Sequence, residues 1–155
     1  MKNLLIALDY EDSSLEVAKM GHRMARALSA SPVLLHVVQE ATYFSSLKYS
    51  PIMGYDNFSG LDTIETDNTF TAKKIAEQYL AQIRTGVKDD SIQTMVEIGD
   101  YSEIILSTAL KLKVEMIIMG THHRSGIGKI LAGSIAEKVL HQSTIPILII
   151  PVKND

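Results

Sequence analysis

The chain has no cysteine, which excludes disulfides and thiolate metal sites and suits a cytoplasmic location. No apolar run approaches the roughly 20 residues that a membrane-spanning helix requires, so no membrane partner is expected. Met1 leads directly into "KNLLIALD", which ends in an acid and lacks a small-residue cleavage site; it reads as a first strand rather than a secretion signal. Excess charge is also missing. A formal net charge of −3 gives no global attraction to nucleic acid, so no nucleic-acid partner is expected and any basic site must be local.

Several catalytic signatures are absent as well. The chain carries no G-x-x-x-x-G-K-[ST], no G-x-G-x-x-G after its first apolar run and no G-x-S-x-G nucleophile elbow. His122 and His123 are adjacent and point apart in an extended chain, while His22, His36 and His141 fall on separate elements, so no ligand spacing for a dedicated metal site exists. Met95, Met116 and Met119 read as core filler. No short-period repeat and no low-complexity segment interrupts the sequence.

What is present is an alternation of short apolar runs and helix-period segments. Leu4 to Leu8 is an apolar run too short for a helix, closed by "DYEDSS", in which Ser13 and Glu16 have capping-box spacing. Val17, Gly21, Met24, Ala25 and Leu28 recur at helical spacing, "SASP" stops them, and Val33 to Val38 forms a second apolar run. Ala72, Ile75, Ala76, Tyr79, Leu80 and Ile83 mark a second helix, and Ile92 to Ile98 a third strand punctuated by Gly99. A third helix carries Ile104, Ile105, Thr108, Ala109 and Leu112; then come strand "VEMIIMG", a helix through Ala136, Val139 and Leu140, and a last strand "IPILII". Nearly continuous apolar strands alternating with helices predict an α/β protein, a single domain over residues 1–155 built on an open parallel sheet covered on both faces. Ligands of such sheets sit beyond the carboxyl ends of the strands, where the winding reverses.

The connection from Gln39 to Asn68 has weak periodicity yet holds Tyr43, Phe44, Tyr49, Tyr55 and Phe58. It reads either as a lid or partner surface, or as a long loop packing its own side chains on the body.

Two constellations fall at strand ends. In "GTHHRSGIGKILAGS", Gly120 ends a strand, Gly133 permits close approach and Ser134 opens a helix, with Arg124 and Lys129 adding positive charge. A helix N-terminus with free amides and a positive dipole end binds phosphate. Ser134 and Glu137 also have capping-box spacing, which alone would account for both residues. Asp9 follows the first strand directly and either accepts from a ribose hydroxyl, helps to hold a metal with phosphate, or caps the next helix.

These residues carry a resemblance. "VEMIIMGTHHRSGIGKILAGSIAEKVLHQSTIPILIIPV" resembles the closing segment of a universal stress protein of the UspA type, and "NLLIALDYEDSSLEVAKMGHRMA" and "PVLLHVV" resemble that family's first two strands. The resemblance implies a five-stranded parallel sheet of order 3-2-1-4-5, adenine-nucleotide alpha-hydrolase-like. It also implies a homodimer paired through the last strand, Ile145 to Val152, where Pro151 suits an edge position. ATP-binding members carry G-x-x-G, nine residues, then G-[ST]. Gly120, Gly133 and Ser134 match; His123 stands where the second glycine would be.

By resemblance, Asp9 matches an acid near the ribose and base, Val37 a backbone contact to adenine, and Met119 and Gly120 the base and sugar edge. His122, Ser134 and Ile135 match residues near the phosphates. Ala7, His123 and Arg124 complete the implied cofactor-binding set. An imidazole at position 123 obstructs close backbone approach but can donate a hydrogen bond to phosphate. The implied function is binding of ATP, or of ADP or AMP, with Mg2+ held through the phosphates, as a nucleotide-linked switch in stress response. The rivals are a slow ATPase or self-phosphorylating protein, for which Asp9, His122 and Ser134 supply groups but no water-activating pair, and a dimeric interaction protein with a lost or weakened nucleotide site. No catalytic residue is assigned.

Overall fold

Apolar runs bounded by turns become the strands of one sheet, and the segments between them become its covering helices. The computed structural model describes residues 2–39, 61–122 and 133–152. In chain order these form β1 (Asn3–Leu8), α1 (Ser14–Ala27), β2 (Ser31–Val38), α2 (Leu61–Val87), β3 (Gln93–Ile98), α3 (Tyr101–Lys111), β4 (Met116–His122), α4 (Ser134–Gln142) and β5 (Ile147–Val152). The strands make one five-stranded sheet in the order β3-β2-β1-β4-β5, with every pairing parallel, as expected.

Successive residues of a strand face opposite sides of its sheet, so a strand covered twice must be apolar throughout. β1 obeys this. Leu4, Ile6 and Leu8 pack with Val17, Ala18 and Ala25 of α1 and with Ala76, Leu80 and Ile83 of α2. Leu5 and Ala7 pack on the other side with Ile105 and Ala109 of α3 and Ala136 and Val139 of α4. Leu4, Leu5, Ile6, Leu34, Leu35, Ile117 and Ile118 are fully buried, each such side chain contributing roughly 1.5–3 kcal/mol of transfer free energy. Helices α1 and α2 therefore cover one face and α3 and α4 the other. The winding reverses between β1 and β4, which makes the carboxyl ends of those two strands the topological switch point.

Several local expectations are corrected. The second helix starts at Leu61, within the stretch read as loop, because no glycine or proline interrupts the chain from Leu61 to Thr85; residues 40–60, with Tyr43, Phe44, Tyr49, Tyr55 and Phe58, lie outside the described residues. Ile75 and Leu140, both placed on inward stripes, are 54% and 52% exposed, since the buried stripes are the narrower Ala76-Leu80-Ile83 and Ala136-Val139. The fourth strand does not end at Gly120 but runs on to His122, because β5 continues beside it through Val152. Neither capping box forms. Ser13 precedes α1 without capping it through its side chain, and Ser134 is the first residue inside α4, with Gly133 as the cap position. Pro151 lies in β5, an edge strand of the sheet, where a missing N–H is tolerated.

Candidate functional site

The central strand is the short one at its carboxyl end. The register of β1 with β4 stops at Ala7 opposite Met119, and its register with β2 stops at Leu8 opposite His36. Beyond those pairs β2 continues through Val37 and Val38, held by β3, and β4 continues through Gly120, Thr121 and His122, held by β5. Two strands thus project past the end of the strand between them. The resulting cleft is lined by Ala7, Leu8, Asp9, Ser13, Ser14, Val17, Met119 and Gly120.

Asp9 sits where β1 leaves the sheet, and its turn is held by a dense set of bonds. The Asp9 carboxylate oxygen Oδ1 accepts from the Ser14 hydroxyl at 2.8 Å and from the Glu11 amide at 3.2 Å. Its carbonyl oxygen accepts from the Ser14 hydroxyl at 3.0 Å and from the Tyr79 hydroxyl at 2.6 Å. The contact to Glu11 is a local side-chain-to-backbone turn, a habit of aspartate that competes with helix formation and delays the start of α1. Asp9 is therefore not the cap of α1: it shapes the turn ahead of the helix. Ser14, only 2% exposed, is the buried brace beneath it.

Gly120 has a packing reason to be glycine, since a Cβ there would lie 2.8 Å from Val17 Cγ2 and drive α1 off the sheet beside the cleft. Gly133 has none: its φ is −52° and a Cβ would meet nothing within 4 Å. The two helices on that face begin differently. Asp100 caps α3 by accepting from the amides of Ser102 and Glu103 at 3.0 and 3.1 Å. Among the described residues α4 has no side-chain cap, and its first internal bond runs from the Glu137 amide to the Gly133 carbonyl, so the amides of Ser134, Ile135 and Ala136 precede the helical ladder. Ser134 is exposed, and its hydroxyl makes no hydrogen bond to the described residues.

Residues 1–151 match the Universal stress protein family along nearly the whole chain. The chain belongs to that family. It is 30% identical over 151 residues to the universal stress protein MJ0531 of Methanocaldococcus jannaschii, covering 96% of this chain and 81% of the relative. Among solved structures, MJ0577 superposes with a TM-score of 0.73 at 23% identity, covering 99% of this chain and 98% of that one. A universal stress protein in complex with cAMP superposes at 0.58 with 17% identity, covering 96% of this chain and 95% of that one. One from Archaeoglobus fulgidus in complex with dAMP superposes at 0.55 with 15% identity, covering 96% and 97%. These neighbours share the α/β nucleotide-hydrolase-like fold.

In this universal stress protein the sheet brings Ala7, Asp9, Met119 and Gly120 together on one cleft. Val37 lies on the projecting end of β2, 4% exposed, and His122 ends β4 opposite Val152. Gly133, Ser134 and Ile135 head α4, with Ile135 half-buried against the core. His123 and Arg124 lie outside the described residues. Among the described residues no group of three His, Asp or Glu side chains could hold a metal ion, and no helix is long and apolar enough to cross a membrane.

Three supporting residues escaped the sequence reading. Ser14 was legible only as one of two adjacent serines in a turn. In the sequence Tyr79 is one of a run of helix-face residues and His36 a strand residue on a separate element. They meet above the β1 turn: His36 Nδ1 lies 2.8 Å from the Leu8 carbonyl oxygen, and the Tyr10 ring packs on His36 at 4.1 Å and on Tyr79 at 4.9 Å between centroids. Burial pushes the His36 imidazole below its ordinary pKa, against the Leu8 bond and the Asp9 charge, which favour the protonated ring. Burial likewise raises the Tyr79 phenol, which stays a hydrogen-bond donor through the physiological range.

Proposed function

We propose that the cleft at the end of β1 binds an adenine nucleotide, with ATP the preferred form over ADP or AMP and Mg2+ carried on the phosphates. The observation that carries this reading is the shortness of β1 between two longer neighbours. It leaves Asp9 at a switch-point crevice, with the uncapped start of α4 on the adjoining strand-helix unit. The backbone at Val37 and Met119 would flank the base, the Asp9 carboxylate would accept from a ribose hydroxyl, and the amides of Ser134 and Ile135 would meet phosphate. Gly133, where a Cβ would meet none of the described residues, keeps that approach open. Binding of cAMP and dAMP by proteins of the same fold supports the class of ligand.

The bound nucleotide acts as a switch in a cytoplasmic stress response, and the protein works as a homodimer paired through the edge strand β5. Its role is binding: the Asp9 carboxylate is engaged by Ser14 and Glu11 and is placed to orient a ligand. Thermal unfolding with and without magnesium and each nucleotide tests the reading. A ligand at about a hundred times its Kd stabilises the native state by roughly 2.7 kcal/mol. An upward shift in Tm with at least one adenine nucleotide is expected; no shift with any would leave the interaction-protein reading in its place.

A further inference from the structure

His36 is 2% exposed, yet among the described residues only one of its ring nitrogens is used. The Leu8 carbonyl can only accept, so Nδ1 carries the hydrogen and donates it at 2.8 Å. Nε2 is left as a buried lone pair with no hydrogen-bond partner among the described residues. A neutral imidazole tolerates this. A proton at Nε2 would create a buried charged donor with no acceptor, a far more costly arrangement.

The ring is enclosed by Tyr79, at 5.8 Å between centroids, and by Tyr10, at 4.1 Å. Tyr10 is the solvent-side member of the cluster, 54% exposed, and it immediately follows Asp9. The titratable and charged groups around the imidazole are Asp9 and Tyr10 on the β1–α1 turn and Tyr79 on α2, with Asp12 acting on Tyr79; its strand neighbours Leu8 and Val96 are apolar. Among the described groups, a proton on Nε2 is solvated by admitting water past Tyr10 or by drawing in the Asp9 carboxylate. Either relief moves the turn that presents Asp9 to the cleft.

We propose that His36 is an acid-sensitive latch on the nucleotide cleft: protonation at Nε2 displaces Tyr10 and takes Asp9 from its place at the mouth, so that acid weakens binding. The ligand in this statement rests on the proposed nucleotide function; the latch itself does not. Burial holds the ring neutral at physiological pH, so the latch opens only on the acidic side of the ordinary histidine range.

The test uses adenosine, which carries no phosphate to titrate in the same range. Its affinity for the full chain should fall by up to about tenfold per pH unit once His36 titrates, and stay flat in His36→Asn, whose amide keeps a donor for Leu8 but takes no proton. An equal slope in the variant, or no slope in the wild type, overturns the latch. Should His36→Asn not fold, Tyr10→Ala leaves the imidazole in place: its NMR titration should move up toward the ordinary histidine value, and an unchanged titration overturns Tyr10 as the cover. If adenosine binds at no pH, the Glu11 amide, which donates to Asp9 Oδ1, decides the latch alone. Its exchange protection should fall in acid in the wild type; constant protection overturns the latch.

Discussion

Tyr79 donates its phenolic hydrogen to the carbonyl oxygen of Asp9 at 2.6 Å, a bond across 70 residues that ties α2 to the turn at the end of β1. The turn before the first helix is thus positioned by the helix of the β2–β3 crossover. Tyr79→Phe keeps the ring packing and removes only the bond, which should lower stability by about 0.5–1.5 kcal/mol in urea denaturation. It should also weaken adenine-nucleotide binding, because the Asp9 turn then loses its tie to α2. A variant that loses stability but binds as tightly as the wild type would detach Tyr79 from the site.

The two glycines of the motif should behave oppositely. Gly120→Ala places a methyl 2.8 Å from Val17 Cγ2, an overpacking expected to cost about 1–3 kcal/mol. Gly133→Ala meets nothing and needs no change of φ, so its stability should stay within about 0.5 kcal/mol of the wild type. Gly133→Val should fold equally well and lose nucleotide affinity by steric exclusion of phosphate. Equal destabilisation at both positions would contradict the assignment of Gly120 to packing and Gly133 to ligand approach.

Acid should loosen a second contact, away from the cleft. Asp89 accepts from the Ser91 hydroxyl and amide and from His22 on α1, bonds that hold its carboxyl down to about 2. For an acid whose folded pKa is depressed, the stabilising contribution is fully present above its unfolded pKa of about 4 and disappears as pH falls toward the folded value. Stability measured by chemical denaturation should therefore drop between about pH 4 and 2 in the wild type and drop less in Asp89→Asn. An identical acid response in both would remove Asp89 from the account.

Much of the fold was legible because its signals are local. Leu4 to Leu8 could only be a strand buried on both faces, and "SASP" and Gly99 end elements where chain chemistry says they should. The sheet order came from the resemblance of the closing segment to a known family. Less legible were features decided by competition between neighbours. Ser13 and Ser134 have capping-box spacing, but Asp9 organises the turn ahead of α1 through Ser14, and Gly133 takes the cap position of α4. The cleft itself arises from the differing lengths of β1, β2 and β4, a relation between strands far apart in sequence. The Tyr10, His36 and Tyr79 cluster joins three elements, and no spacing within the chain announces it.

Position 123 remains the departure from the nucleotide motif. An imidazole where that motif has glycine narrows the backbone approach to phosphate, so His123→Gly should tighten triphosphate binding in a calorimetric titration. Unchanged or weaker affinity would show that the histidine is itself a phosphate donor.

The central claim is that an adenine nucleotide occupies the cleft at the end of β1. Amide chemical shifts mapped by NMR during titration with AMP test it most directly. Saturable shifts should concentrate at Leu8 and Asp9, at Val37, from Met119 to His122, and at Ser134 and Ile135. Absence of saturable shifts, or shifts confined to α2 or the outer edge of β5, would contradict it.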